Sequence, residues 1–289
     1  IGALCQGSDT IRVYYLGGQS NMDGFGFNKD LPGPLSHVSE DVWIFHGNPV
    51  GDDLPEGGLG LWQALQPGHG TGFQSDGHKN EYSNRFGVEL SLARRLQELY
   101  PGNRIALIKY SRGGTSIDSL ATGPFGCWEP DYQGSTGINQ YDHFLRTVRT
   151  AMNTADIDGD GSKDVLVPAG IVWMQGESDA SYTEEIANRY YFNLKRLMDL
   201  IRASFRCDDL AVVIGKISDS WDDPGDGKVW DHGELVQYAQ EKFARNDGNS
   251  AIVRETRYYK YSDTWHYDSE GYLDLGKKFA EALKQLDIK

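Results

Sequence analysis

Six short runs rich in β-branched and aromatic residues punctuate this chain, and amphipathic stretches of helical period lie between many of them. The runs are Ile11–Leu16, Asp41–Phe45, Arg104–Tyr110, Val165–Trp173, Leu210–Ile217 and Ala251–Arg254. Short apolar runs of this kind predict strands buried on both faces, as in a parallel sheet covered by helices. The covering helices show as stripes at helical spacing. Val88, Leu92, Leu96 and Leu99 form one, stopped by Tyr100-Pro101-Gly102. Ile186, Tyr190, Leu194, Leu197, Ile201 and Phe205 form a second, and Tyr272, Leu275, Phe279, Leu283 and Leu286 a third. Strands alternating with such helices predict an α/β fold with a mainly parallel sheet. There is no internal repeat and no Pro/Ser-rich linker, so one domain over residues 1–289 is expected.

Two segments interrupt the alternation. Residues 47–87 are rich in Gly, His and Asp, and residues 121–137 in Gly, Pro and aromatics. Both follow predicted strands. In an open parallel sheet the segments beyond the strand carboxyl ends build the ligand crevice, so these insertions are expected beside a site.

Composition narrows the partners. With 28 basic and 42 acidic side chains the net charge is −14, which opposes a phosphate backbone and argues against nucleic acid. No apolar run reaches the roughly 20 residues that span a bilayer, so no membrane-spanning segment is expected. The 7 Trp, 16 Tyr and 11 Phe supply apolar area for a large core. Cys5, Cys127 and Cys207 are an odd number without a C-x-x-C pair, so no zinc or dithiol centre is read. One disulfide with a free thiol and three buried thiols both remain open. The chain begins at Ile1 without a signal-peptide pattern, as a processed secreted enzyme would, and a secreted or periplasmic location is expected.

Two local patterns carry chemistry. The first predicted strand runs straight into Gly17-Gly18-Gln19-Ser20-Asn21-Met22. A serine delivered to a strand end by small residues offers both its hydroxyl and its N–H at the crevice, which a serine nucleophile needs. The same serine could instead cap a helix. Near the other end stands Asp263-Thr264-Trp265-His266. An Asp three residues before a His can hold the imidazole Nδ1–H and leave Nε2 to take a proton from a serine. Spacing alone leaves a plain surface ion pair equally open.

Four blocks in order then resemble the SGNH hydrolase superfamily, and within it the carbohydrate-esterase branch of sialate O-acetylesterase-like and acetylxylan-esterase-like enzymes. They are Gly18-Gln19-Ser20-Asn21-Met22, Arg112-Gly113-Gly114-Thr115-Ser116-Ile117, Trp173-Met174-Gln175-Gly176-Glu177-Ser178-Asp179, and Asp263-x-x-His266 with Gly271 and Leu275-Gly276. The resemblance implies a flavodoxin-like three-layer α/β/α sandwich, with Ser20 as nucleophile, His266 as general base and Asp263 orienting it. It also implies an oxyanion hole from the Ser20 N–H, the Gly114 N–H and a side-chain amide. The wider superfamily takes that amide from an Asn in the third block. Here the block reads Gln-Gly-Glu-Ser-Asp, and Gln175 is assigned instead. Gln19, Asn21, Arg112, Glu177, Trp128 and Trp265 are the candidate substrate contacts.

The expected activity is therefore removal of O-acetyl, or another small acyl group, from a carbohydrate through an acyl-enzyme, with no catalytic cofactor. Trp62, Phe73, Phe125, Trp128, Tyr132, Trp221 and Trp230 lie in predicted loops or near strand ends, where aromatic faces could stack on sugar rings. Two rivals stand beside this reading. One is a non-catalytic carbohydrate-binding protein of the same fold. The other is a glycosidase using Glu177 and Asp179, which on an extended strand would lie roughly 6.5 Å apart on one face.

A separate pattern precedes the fourth strand. Asp156-Ile157-Asp158-Gly159-Asp160-Gly161-Ser162-Lys163-Asp164 places oxygen ligands at alternate positions with Gly at the sixth, as in a calcium loop, though Val167 stands where an EF-hand has its Glu. A structural Ca2+ held by Asp156, Asp158, Asp160, Ser162 and Asp164 is expected, against the alternative of a solvated acidic turn.

Overall fold

Tyr14 and Tyr15 are neighbours on one strand and both wholly buried, so the sheet they belong to is covered on both faces. That strand, β1 (Thr10–Gly18), is central in a seven-stranded sheet. The others are β2 (Val42–His46), β3 (Trp62–Ala64), β4 (Arg104–Ser111), β5 (Val165–Met174), β6 (Val212–Gly215) and β7 (Ser250–Val253). Their order is β7-β6-β5-β1-β4-β2-β3, parallel throughout except for the β2–β3 pair. The computed structural model describes residues 10–39, 41–135 and 137–287. Cys5 lies outside them, while Cys127 and Cys207 carry free thiols.

Among the described residues seven α-helices accompany the sheet: α1 (Ser20–Asp23), α2 (Glu89–Leu99), α3 (Gln140–Asn153), α4 (Glu177–Ala180), α5 (Glu184–Ser204), α6 (Gly233–Asn246) and α7 (Ser269–Leu286). The two tyrosines show how they divide. Tyr15 meets Phe144 of α3 at 4.9 Å between ring centroids, and Phe205 at the end of α5 at 5.9 Å. Tyr14 points the other way, toward Leu283 of α7, where a side chain at Gly170 of β5 would collide with both. α2 packs on α7, and α5 on α6. The result is the three-layer α/β/α sandwich expected from the sequence. None of the described helices is long and apolar enough to cross a membrane.

All six predicted strands form, as do the three predicted helices. Side-chain caps fix the starts of the longer helices: Thr183 accepts from the Ile186 N–H at 3.3 Å, and Asp268 from the Gly271 N–H at 2.8 Å. Caps of this kind are worth about 1 kcal/mol each. The Asp268 cap has a positional effect, because it starts α7 immediately after His266 and Tyr267.

Chain order reverses at β1. From it the chain runs outward to β2 and β3, returns to β4 on one flank, then crosses to β5 on the other. Register sets Gly18 beside both Ser111 and Met174, so the three central strands end level. The segments that follow them must emerge together at one point of the sheet edge, the place where open α/β sheets bind ligands.

Candidate active site

Backbone crowding delivers Ser20. Gly18 has φ of +142°, and a Cβ there would lie 1.9 Å from the Met174 carbonyl oxygen, so no other residue fits. The Gln19 N–H donates to that carbonyl at 2.9 Å, and the chain turns at once into α1. Gln19, not Ser20, is the N-cap residue, and Ser20 is the first residue of the helix. Its hydroxyl takes no part in capping and makes no hydrogen bond to any described residue, so the capping alternative does not apply.

His266 sits on a short loop folded around one carboxylate. Asp263 Oδ1 accepts from the Trp265 and His266 N–H groups at 2.8 Å each, and Oδ2 lies 2.8 Å from His266 Nδ1. Burial alone would raise the Asp263 carboxyl, but the imidazole and those two N–H groups outweigh it and hold the group below its ordinary value. With Nδ1 facing a carboxylate, Nε2 is the basic nitrogen. Phe25 lies flat on the imidazole, centroids 3.5 Å apart and planes 5° from parallel.

Ser20 and His266 line one cavity of about 500 Å3, without a direct hydrogen bond between them. Such contacts often tighten only once substrate is bound. Gly113 lies against Ser20, a Cβ there falling 3.3 Å from Ser20 Cβ. Gly114 has φ of +72° and faces Phe125. Arg112 reaches over the Phe125 ring at 4.3 Å, and its Nε is buried without a partner among the described residues. Trp265, Trp230 and Tyr182 complete the wall, Trp265 half exposed.

Asn21 binds the two distant segments together. Its Nδ2 donates to Glu177 Oε1 at 2.9 Å and to the Trp265 carbonyl at 3.2 Å. Its Oδ1 accepts from the Tyr272 hydroxyl at 2.8 Å and the Tyr267 N–H at 3.4 Å. The residues on either side of His266 are thus fixed to the residue after Ser20.

The expected substrate role of Asn21 is corrected by this commitment: it is buried and does not line the cavity. Three other expectations also change. Gln175 is completely buried, its Nε2 donating to the Thr115 carbonyl at 3.1 Å and to Asp179 at 2.7 Å, its Oε1 accepting from the Tyr190 hydroxyl. It faces away from the cavity and supplies no oxyanion donor.

Glu177 and Asp179 stand on helix α4 rather than on a strand, where i and i+2 point apart. Both are buried away from the cavity, which removes the glycosidase geometry. Burial raises both carboxyls, Asp179 to about 7, although the Ile117 and Asp118 N–H groups and the Gln175 amide pull against it. Through those two N–H groups, at 3.0 Å each, Asp179 anchors the loop after β4. Trp128 is core, its ring 5.0 Å from that of Trp173 and its Nε1 donating to Thr115 Oγ1.

Among the cavity residues that escaped the sequence reading, two lie within five positions of Ser20: Phe25, and Asp23 on α1. Burial raises the Asp23 carboxyl against the pull of Ser111, Lys109, Arg112 and the Gly113 N–H. Below it Lys109, wholly buried, donates to the carbonyls of Asp23 and His69 at 2.8 Å each and to Glu89 at 2.9 Å. Gln19 gains a clearer part. Its Oε1 accepts from the Gly176 and Ser178 N–H groups at the start of α4, at 3.3 and 3.2 Å. That fixes the amide, and its NH2 end, on a residue that lines the cavity, has no partner among the described residues.

Far from this cavity, carboxylate oxygens of Asp156, Asp158 and Asp164 lie within 4.8 Å of one another, a separation that one Ca2+ with ligands at 2.3–2.6 Å can bridge. Asp160 and Ser162 fall outside that group. Arg104 contacts Asp158 and, at 3.2 Å, Asp164.

The chain matches, over residues 10–285, the family model described as carbohydrate esterase, sialic acid-specific acetylesterase. No curated protein matches it. Among solved structures, a protein from Arabidopsis thaliana superposes with a TM-score of 0.63 at 17% identity, covering 96% of this chain and 99% of that one. A carbohydrate acetylesterase from Xanthomonas citri gives 0.62 at 18%, covering 95% of this chain but only 56% of the other. NanS gives 0.60 at 15%, covering 97% and 98%. At such identities the structural likeness speaks for the fold.

Proposed function

We propose, from the premise that this chain belongs to the sialic acid-specific acetylesterase family of carbohydrate esterases, that it removes acetyl groups from sugar hydroxyls through an acyl-enzyme on Ser20. The chain is a carbohydrate esterase, and its substrate class is an acetylated carbohydrate. The observation that carries the finer reading is the shared cavity: an uncommitted serine hydroxyl and an imidazole held by Asp263 line it together.

His266 Nε2 takes the Ser20 proton as Oγ attacks the acetyl carbonyl. The tetrahedral oxyanion faces the N–H groups of Ser20 and Gly114 and, in place of Gln175, the Gln19 NH2 group. The C–O bond to the sugar breaks, and the sugar oxygen leaves with the proton from His266. Water then repeats the steps on the acetyl-enzyme, releasing acetate and restoring Ser20. Arg112 and Trp265 would contact the sugar.

Ester cleavage of p-nitrophenyl acetate and of acetylated sugars, with Ser20→Ala and His266→Ala each lowering kcat by 10^4-fold or more, is the expected result (about 10^6 is the order for a serine triad). Full activity in Ser20→Ala would reject the assignment. Glycan binding without ester cleavage by the unaltered protein would favour the non-catalytic reading instead.

We also propose that the loop from Asp156 to Asp164 holds a structural Ca2+ through Asp156, Asp158 and Asp164. The support is the convergence of three carboxylates against the single positive charge of Arg104. The ion would stiffen the entry to β5 and take no part in catalysis.

A further inference from the structure

One carboxylate fixes the backbone of two tryptophans beside the cavity. Asp219 Oδ1 accepts from the Trp221 N–H at 2.7 Å, and its Oδ2 from the N–H groups of Val229 and Trp230 at 3.1 and 3.0 Å. The Trp230 ring is also held, Nε1 donating to the Ser218 carbonyl at 3.1 Å. Trp221 has φ of +59°, a left-handed conformation that a bulky side chain adopts only at a cost in energy. Yet it is 61% exposed, so burial of the ring does not offset that cost. A tryptophan serving as a loop anchor would be buried; this one is held out in strained backbone.

Its position gives the reason. Trp230 lines the cavity of Ser20 and also a smaller one of about 130 Å3, whose other walls include Trp221, Lys228, Gln237 and Arg257. The loop is fastened to the catalytic one, Ser220 Oγ donating to the Thr264 carbonyl at 2.7 Å and Thr264 Oγ1 to Asp222 at 3.1 Å. An aromatic shelf rimmed by polar side chains suits the apolar face and the hydroxyls of a sugar ring.

We propose that Trp221 and Trp230, with Gln237 and Arg257, form a second sugar subsite, so that the enzyme acts on acetyl groups of an oligosaccharide in preference to a free monosaccharide. The proposal rests on the reading of the Ser20 cavity as the acetyl site, and adds the chain-bound neighbour of the acetylated sugar.

The test compares kcat/KM for acetylated xylose, xylobiose and xylotetraose, and for O-acetylated sialic acid against O-acetylated sialyllactose, with p-nitrophenyl acetate alongside. In at least one series the chain-bound sugar is expected to be better by about tenfold, chiefly through KM. Trp221→Ala should bring that ratio toward one, and Trp221→Phe should restore most of it. A melting temperature close to that of the unaltered protein identifies the effect as local. Ratios near one in both series, ratios that survive Trp221→Ala, or sugars cleaved no better than p-nitrophenyl acetate would each overturn the subsite. Failure of the unaltered protein to cleave any ester, p-nitrophenyl acetate included, would instead strike the reading beneath it.

Discussion

Phe25 covers one face of the His266 imidazole, ring on ring at 3.5 Å. On the edge of the imidazole Asp263 holds Nδ1, so orientation and tilt are fixed by different residues. Removing the phenyl ring leaves the hydrogen bond but frees the tilt. Misplacing a reacting group by about 1 Å can cost 10^2-fold. Phe25→Ala is therefore expected to lower kcat by about 10- to 100-fold, and Phe25→Tyr much less. Steady-state kinetics with p-nitrophenyl acetate measures both; equal rates in Phe25→Ala and the unaltered protein would show that Asp263 suffices.

Two glutamines should separate by what they damage. Gln19 lines the cavity with a free NH2 group, and loss of one oxyanion donor typically costs about 10^2–10^3 in turnover. Gln19→Ala should lower kcat in that range with little change in KM, with a stability cost of its own because the Gly176 and Ser178 N–H groups lose their acceptor. Gln175→Ala leaves Tyr190, Asp179 and Thr115 short of a buried partner, worth roughly 1–3 kcal/mol of stability. Urea melts beside kinetics distinguish the two. The reverse pattern would return the amide role to Gln175.

The insertion at 47–87 carries a pH-dependent penalty. Both oxygens of Asp52 are buried, and burial together with the charge of the neighbouring Asp53 raises the carboxyl to about 7 against the pull of the Asp53 N–H. In the unfolded chain it ionises near pH 4. Between about pH 4 and pH 7 the unfolded chain therefore binds fewer protons than the folded one, and this group lowers stability as pH rises. Asp52→Asn removes the effect, so the melting temperature of the variant should gain on that of the unaltered protein from pH 4.5 to pH 8. A difference that stays constant with pH would contradict the account.

Chelation tests the calcium loop. With micromolar affinity and millimolar Ca2+, mass action gives about 4 kcal/mol of stabilisation, which excess chelator would remove. The melting transition should fall by several degrees in EDTA and recover on adding Ca2+, with Asp156→Asn insensitive to both. An unchanged transition would leave Arg104 as the counter-charge for Asp158 and Asp164.

The strands were readable because their runs are short, apolar and bounded by turns. Helices α3 and α6 were not, and their buried faces explain it. Gln140, His143 and Thr147 occupy three of the inward positions of α3, and Gln240 one of those of α6, so the apolar period is broken by buried polar groups. Gln140, for one, accepts from the Tyr110 hydroxyl at 2.6 Å. The same difficulty misplaced Gln175 and Trp128. A polar or aromatic residue after a strand reads alike whether it turns toward the crevice or the core, and that choice rests on neighbours far along the chain. The Ser20 and Asp263-His266 segments were legible because their spacing is local, and the family resemblance of the four blocks, not the spacing, implied that they meet.

Where the two halves of the site sit along the polypeptide sets when activity can appear. Ser20 precedes His266 along the chain, and its strand becomes the middle of the sheet only after β4 and β5 have been added on either side. His266 follows long afterwards, on the last loop before α7. On the proposed mechanism, a polypeptide clipped before residue 263 would carry the Ser20 hydroxyl with no base, so hydrolysis would wait until residues 263–287 have docked.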